Sequence, residues 1–188
     1  MNNRYFLMRH GESEANVADL IISYPETGCK RYGLSKRGRQ QVRLSALESG
    51  LDSDTLILSS DFLRARETAQ IAAEVLACRP PATEERLRER FFGQLEGSSS
   101  ANYEQVWAQD EIDPGAPLLG AEPADAVMER MGAVIEHLEV VDVGQTILLV
   151  SHGDPLRFLQ LWAAGRQAQQ HQSLPHFAPA EIRPLGPE

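Results

Sequence analysis

The chain has 188 residues, 42% hydrophobic and 24% charged, with a formal net charge of −9, which fits one domain over residues 1–188 and disfavours nucleic acid as a partner. No apolar run approaches the roughly 20 residues that cross a membrane, and the N-terminal run Tyr5-Phe6-Leu7-Met8 meets Arg9 at once, unlike a signal peptide. Cys29 and Cys78 have no metal-ligand spacing and make no disulfide framework, so a cytoplasmic enzyme is expected.

Residues 4–8 read as a buried strand that stops at Arg9-His10-Gly11. A helix is expected from about Ser13, with Glu12 and Glu14 as helix-start acids and Tyr24-Pro25 breaking it. Ser35 is a candidate N-cap for a helix over Lys36–Leu47, with Val42, Leu44 and Leu47 offered to the core. Thr55-Leu56-Ile57-Leu58 reads as a second strand, ending in the cap-like Ser59-Ser60-Asp61. A helix over 62–77 follows, with Phe62, Ala65, Ala69, Ala72, Val75 and Leu76 as its apolar stripe. Arg64 and Arg66 lie in its first turn, where the dipole disfavours cations; an anion held there would account for Arg64.

The stretch 87–97 is irregular, with Phe91 and Phe92 beside Glu89. Residues 98–120 suggest one short helix around Tyr103–Ala108. A helix over Pro123–Leu138 places Val127, Met131, Val134, Ile135 and Leu138 at helical spacing. The third strand, 146–150, runs into Ser151-His152-Gly153, and a helix over Pro155–Ala164 follows. Ala180–Arg183 suggests a short last strand. Alternating strands and helices imply a three-layer α/β/α fold with a mostly parallel central sheet, and such sheets hold their chemistry at the strands' carboxyl ends.

Three strands end in polar motifs, and adjacent parallel strands would gather them. Residues 1–94 carry 14 Arg/Lys against 13 Asp/Glu, whereas residues 95–188 carry 4 against 14. Six of the basic residues fall between Lys30 and Arg43, which suggests a focused anion site or, for most of them, a solvated face. Guanidinium forks and helix-start amides suit phosphate. A neutral imidazole beside them is a candidate nucleophile, and a carboxyl group a candidate acid for the departing alkoxide.

Five segments, in order, resemble those of the histidine phosphatase superfamily, phosphoglycerate mutase-like branch 1. They are Arg9-His10-Gly11-Glu12-Ser13-Glu14-Ala15-Asn16, Gly33–Gln41, Ser59–Ala69, Leu87–Gly97 and Val150-Ser151-His152-Gly153, with Glu181-Ile182-Arg183 similar to the family's last strand. The resemblance covers nearly the whole chain and implies the phosphoglycerate mutase-like fold. It implies that His10 is the nucleophile and becomes phosphohistidine. Arg9, Arg64 and His152 would clamp the phosphoryl oxygens, assisted by Asn16 and the Gly153 amide, with Ser13 near the phosphate. Glu89 would be the general acid. The non-attacking nitrogen of His10 needs an acceptor, such as the Gly11 carbonyl.

The chain departs from the family pattern at Asp61, at Asp154 after the second histidine motif, and at Gly120-Ala121-Glu122-Pro123. Asp61 is expected to cap its helix, and Asp154 to repel highly charged substrates or meet a cationic group. Arg90 reads equally as a substrate contact or an ion-pair partner. Lys30, Arg31 and Arg37 read as a solvated face in preference to a specificity loop, His171 and His176 as members of a polar tail, and Trp107 and Trp162 as core or loop anchors. The expected function is a metal-independent phosphatase that needs no cofactor and acts on a small phosphorylated metabolite. The alternatives are a cofactor-dependent phosphoglycerate mutase and a phosphoprotein (phosphohistidine) phosphatase. Specificity is expected from residues 20–35 and 98–122; monomer and homodimer stay equally open.

Overall fold

In the computed structural model, whose described residues are 1–186, the strands β1 (Arg4–Arg9), β2 (Leu56–Ser59), β3 (Ala82–Thr83), β4 (Thr146–Ser151) and β5 (Ile182–Pro184) form one sheet in the order β3-β2-β4-β1-β5. The pairs β3-β2, β2-β4 and β4-β1 are parallel, and β5 runs antiparallel on the edge. The helices are α1 (Glu14–Val17), α2 (Pro25–Gly28), α3 (Lys36–Glu48), α4 (Leu63–Leu76), α5 (Tyr103–Ile112), α6 (Ala124–Val141) and α7 (Gly153–Ala163).

The central strands are apolar without alternation because both faces are covered. Tyr5, Leu7, Ile147 and Leu149 face α6 and α7, packing on Val127, Met131, Ile135, Leu156 and Leu159. Met8, Ile57, Leu148 and Val150 face α3 and α4, packing on Val42, Ala46, Ala65, Ala69 and Ala72. A smaller cluster of Ile21, Phe92, Leu95, Val106 and Ala121 lies apart from both and supports the loops. Register decides what meets at the sheet's carboxyl edge. Arg9 pairs with Ser151 and Ser59 with Val150. The His10 amide then donates to Ser151 O (3.0 Å), and the Ser60 amide to Val150 O (2.9 Å), so the three polar strand ends lie side by side.

Several expectations are corrected. The helix expected from Ser13 to Tyr24 lasts only to Val17. Asp19 takes a left-handed turn (φ 55°), after which Ile21 exchanges amide hydrogen bonds with Gly97 and Ser98, at 2.8 and 2.9 Å. Pro25 opens α2 rather than breaking a helix, as its fixed φ allows at a first position. Leu44 and Leu47 are 59% and 69% exposed, because α3 buries the stripe Gly38-Val42-Ala46 at four-residue spacing instead. Strand β3 was not anticipated. His171, read as a member of a polar tail, is fully buried and stacks on Phe158 at 4.9 Å.

Candidate active site

His10 is 3% exposed at the end of β1. Its Nδ1–H donates to the Gly11 carbonyl at 2.7 Å, which leaves a lone pair on Nε2. That lone pair accepts from Arg64 Nε at 3.1 Å. Burial, together with the charges of Arg64 and Arg9, holds the His10 pKa well below the usual imidazole range, so the ring is neutral. Gly11 is fixed from two sides. Its amide donates to Thr68 Oγ1 at 3.1 Å, and Gly38 O leaves no space for a side chain.

Arg64 reaches His10 because α4 starts beside β2. Its Nη2 also donates to Ile22 O at 3.0 Å. Arg9 donates through Nη1 to Phe177 O at 2.6 Å. His152, fully buried, has its ring centroid 5.1 Å from that of His10. Its Nε2 lies 2.9 Å from Ser60 Oγ, which accepts from the Phe62 amide at 3.2 Å. This arrangement favours a neutral His152 with its proton on Nδ1. Arg9 Nε, Arg64 Nη1 and His152 Nδ1 are buried and have no hydrogen-bond partner among the described residues. Buried donors are seldom left unpaired, so three around one imidazole point to an anion with several acceptor oxygens.

Glu89 Oε2 is 3.7 Å from both Arg64 Nη2 and His152 Nδ1. Burial pushes its pKa up to about 7, against the pull of Arg64. The loop carrying it is held by contacts that sequence reasoning missed. Ser151 Oγ donates to Leu87 O at 2.7 Å, and Arg130 Nη1 donates to Arg86 O and Arg88 O at 2.6 and 3.0 Å. Arg130 is oriented in turn by Glu122 at 2.7 Å. A buried, bidentate Arg90–Asp110 pair (2.5 and 2.8 Å) ties the same loop to α5, so Arg90 is an ion-pair partner.

Arg9, His10, Arg64 and Glu89 line a cavity of about 360 Å³. Ser13, Asn16 and Gly153 also line it. Ser13 Oγ accepts from the Asn16 amide and donates to Asn16 Oδ1, at 3.2 and 3.0 Å, so its hydroxyl is committed to capping α1. The outer wall comes from Leu20, Ile22, Tyr103, Trp107, His176 and Phe177. Trp107 is thus a cavity residue, and the tail adds to the two stretches expected to set specificity. The alternation of Tyr103 and Trp107 at helical spacing was the available signal. Lys30 and Arg31 are exposed and line no part of the cavity. Among the described residues no group of three or more His, Cys, Asp or Glu side chains is placed to hold a metal ion.

Residues 5–188 match the sequence profile of the histidine phosphatase superfamily (branch 1). The chain belongs to this superfamily. A Photorhabdus laumondii protein named "Probable phosphoglycerate mutase GpmB" is 37% identical over 79% of this chain and 68% of its own length. The 2,3-bisphosphoglycerate-dependent phosphoglycerate mutase of Bartonella henselae is 27% identical over 90% of this chain and 85% of its own. The structure of a mycobacterial glucosyl-3-phosphoglycerate phosphatase superposes with a TM-score of 0.82, at 23% identity over 96% of this chain and 91% of that one. An Entamoeba histolytica phosphoserine phosphatase, solved with 3-phosphoglyceric acid, gives 0.77 at 21% identity, covering 97% and 89%. At those identities the structural likeness speaks to the fold.

Two departures from the superfamily pattern resolve into packing. Asp61 does not cap α4, whose N-cap position is Phe62. It pairs instead with Arg88 at 2.5 and 2.8 Å, which holds its carboxyl below the usual range. Asp154 is buried between Arg157 Nη2 (2.5 Å) and Trp107 Nε1 (2.8 Å). Its carboxylate therefore has partners of its own, although the residue also lines the cavity.

Proposed function

We propose that the chain hydrolyses phosphomonoesters through a phosphohistidine on His10. The supporting observation is the trio of buried, unpartnered donors around the lone pair of a neutral imidazole. Arg9 Nε, Arg64 Nη1 and His152 Nδ1 would take phosphoryl oxygens, with Asn16 and the Gly153 amide assisting. Charge-assisted bonds of this kind gain strength where water is excluded. As the phosphate binds, the Arg64 Nε–H moves from His10 to a phosphoryl oxygen and frees Nε2. Nε2 then bonds to phosphorus as the ester P–O bond breaks, and the Glu89 proton passes to the departing oxygen. In the second half Glu89 takes a proton from water, the water oxygen bonds to phosphorus, and the P–N bond breaks. Inorganic phosphate leaves and His10 and Glu89 are restored. Nδ1 keeps its proton on Gly11 throughout.

The names of the curated relatives keep a mutase reading in view. A mutase must bind substrates with a second anion and shield its phosphohistidine from water, whereas this cavity has no lysine or arginine beyond Arg9 and Arg64 among its described lining residues. The deciding experiment supplies 3-phosphoglycerate with a trace of bisphosphoglycerate, and separately a panel of phosphomonoesters in EDTA. Phosphate release that is lost in His10→Ala, with an acid-labile, base-stable phosphoryl-enzyme, is the expected result. Isomerisation without phosphate release, or a strict metal requirement, overturns it.

A further inference from the structure

We propose that the substrate is the phosphomonoester of an alcohol that carries a flat aromatic group and no second anion. This rests on the reading of the His10 centre as the phosphoryl-transfer site. It concerns the other end of the cavity, where the alcohol must lie.

The first observation is charge. Among the described lining residues Arg9 and Arg64 are the two cations; Arg64 donates to His10, and the Arg9 charge also acts on the His10 ring. Burial lowers the pKa of His176, which is neutral. The Asp154 carboxylate is taken up by Arg157 and Trp107. At the rim Asp19 adds a further negative group, bonded to Ser99 and Ser100. A second phosphate or carboxylate on the substrate would lose water here and gain no counter-ion.

The second observation is an aromatic wall that is already rigid. Tyr103 and Trp107, one turn apart on α5, stack at 5.3 Å with ring planes 14° apart. Phe92 meets Tyr103 edge-on at 4.6 Å, and His176 tilts against Trp107 at 5.4 Å. Burial pushes the Tyr103 phenol up, so it is uncharged. The indole is held in place by Asp154 at Nε1 and by the Arg157 guanidinium over its ring at 5.1 Å. Asp154, the unusual residue after the second histidine motif, is thus a positioning residue for Trp107. Aromatic surfaces fixed in advance gain affinity for flat apolar groups, because little freedom is lost on binding.

The test measures kcat/KM for phosphate release from 2-phenylethyl phosphate, glycerol 3-phosphate and 3-phosphoglycerate, all alkyl esters. The aromatic ester should exceed glycerol 3-phosphate by about tenfold, with 3-phosphoglycerate below both. Trp107→Ala should bring the aromatic-to-glycerol ratio close to one, whereas Trp107→Phe should keep most of it. A 3-phosphoglycerate rate equal to or above the aromatic one overturns the proposal, as does a ratio unchanged in a folded Trp107→Ala. Calorimetry with 3-phenylpropylphosphonate and 3-phosphonopropionate separates this proposal from the hydrolytic reading. Tighter binding of the aromatic phosphonate upholds it even if no ester is hydrolysed, and tighter binding of the carboxylate overturns it.

Discussion

Replacing Glu89 with glutamine tests two consequences of one buried carboxyl group. The Glu89 pKa lies at about 7 in the folded chain, raised from 4.5 by burial. A raised acid binds its proton more tightly when folded, so the wild type loses stability as pH climbs from about 4.5 to about 7. At about 1.4 kcal/mol per pH unit, ionising Glu89 costs the folded state about 3 kcal/mol by pH 8. Glu89→Gln is spared this cost. It should unfold in urea like the wild type near pH 4.5, and be more stable by a few kcal/mol at pH 8. Its chemistry should fail selectively. For an alkyl ester, whose alkoxide needs a proton, kcat should fall by about 10²–10⁴. For p-nitrophenyl phosphate, whose phenolate leaves unaided, the loss should be far smaller. Equal losses on both esters would remove Glu89 from the proton-donor role. Matching urea curves at both pH values would show that its carboxyl is not strained by burial.

With an alkyl ester, the wild-type pH–rate profile should fall as pH rises through about 7, where Glu89 loses its proton, and its acid limb should lie well below 6.5, because His10 stays neutral there. Gly38→Ala should destabilise the chain by about 1–3 kcal/mol in urea, although alanine is the better helix former by about 1 kcal/mol, since a Cβ would press on the Glu12 backbone; a gain in stability would contradict this packing. Asp110→Ala leaves the Arg90 guanidinium buried without its bidentate partner, and should cost about 3–5 kcal/mol as read by thermal or urea unfolding.

The parallel sheet was legible because strands covered on both faces must be apolar throughout, and Leu148-Leu149-Val150 show that pattern without interruption. Helices α4 and α6 were legible from their spacing, and α3 from its cap at Ser35. The segment after Ser13 was misread because its course depends on partners about 80 residues away, at Gly97–Ser99. No local propensity reports such pairing. Leu44 and Leu47 were misassigned for a related reason: which stripe of a helix is buried depends on how closely its neighbour approaches, and here Gly38 sets that approach.

By itself the sequence determined the family, the strand-end motifs and the residue types gathered around a phosphate, because these reside in local runs and their order. Tertiary structure alone decided what those residues do to one another. It put the Arg64 Nε–H on the His10 lone pair, left three donors unpaired, and buried Glu89 until its carboxyl titrates near neutrality. It also turned Trp107 into the cavity wall by way of Asp154. Protonation and orientation depend on desolvation and on fields from groups distant in the chain, and these exist only once the chain has closed around them.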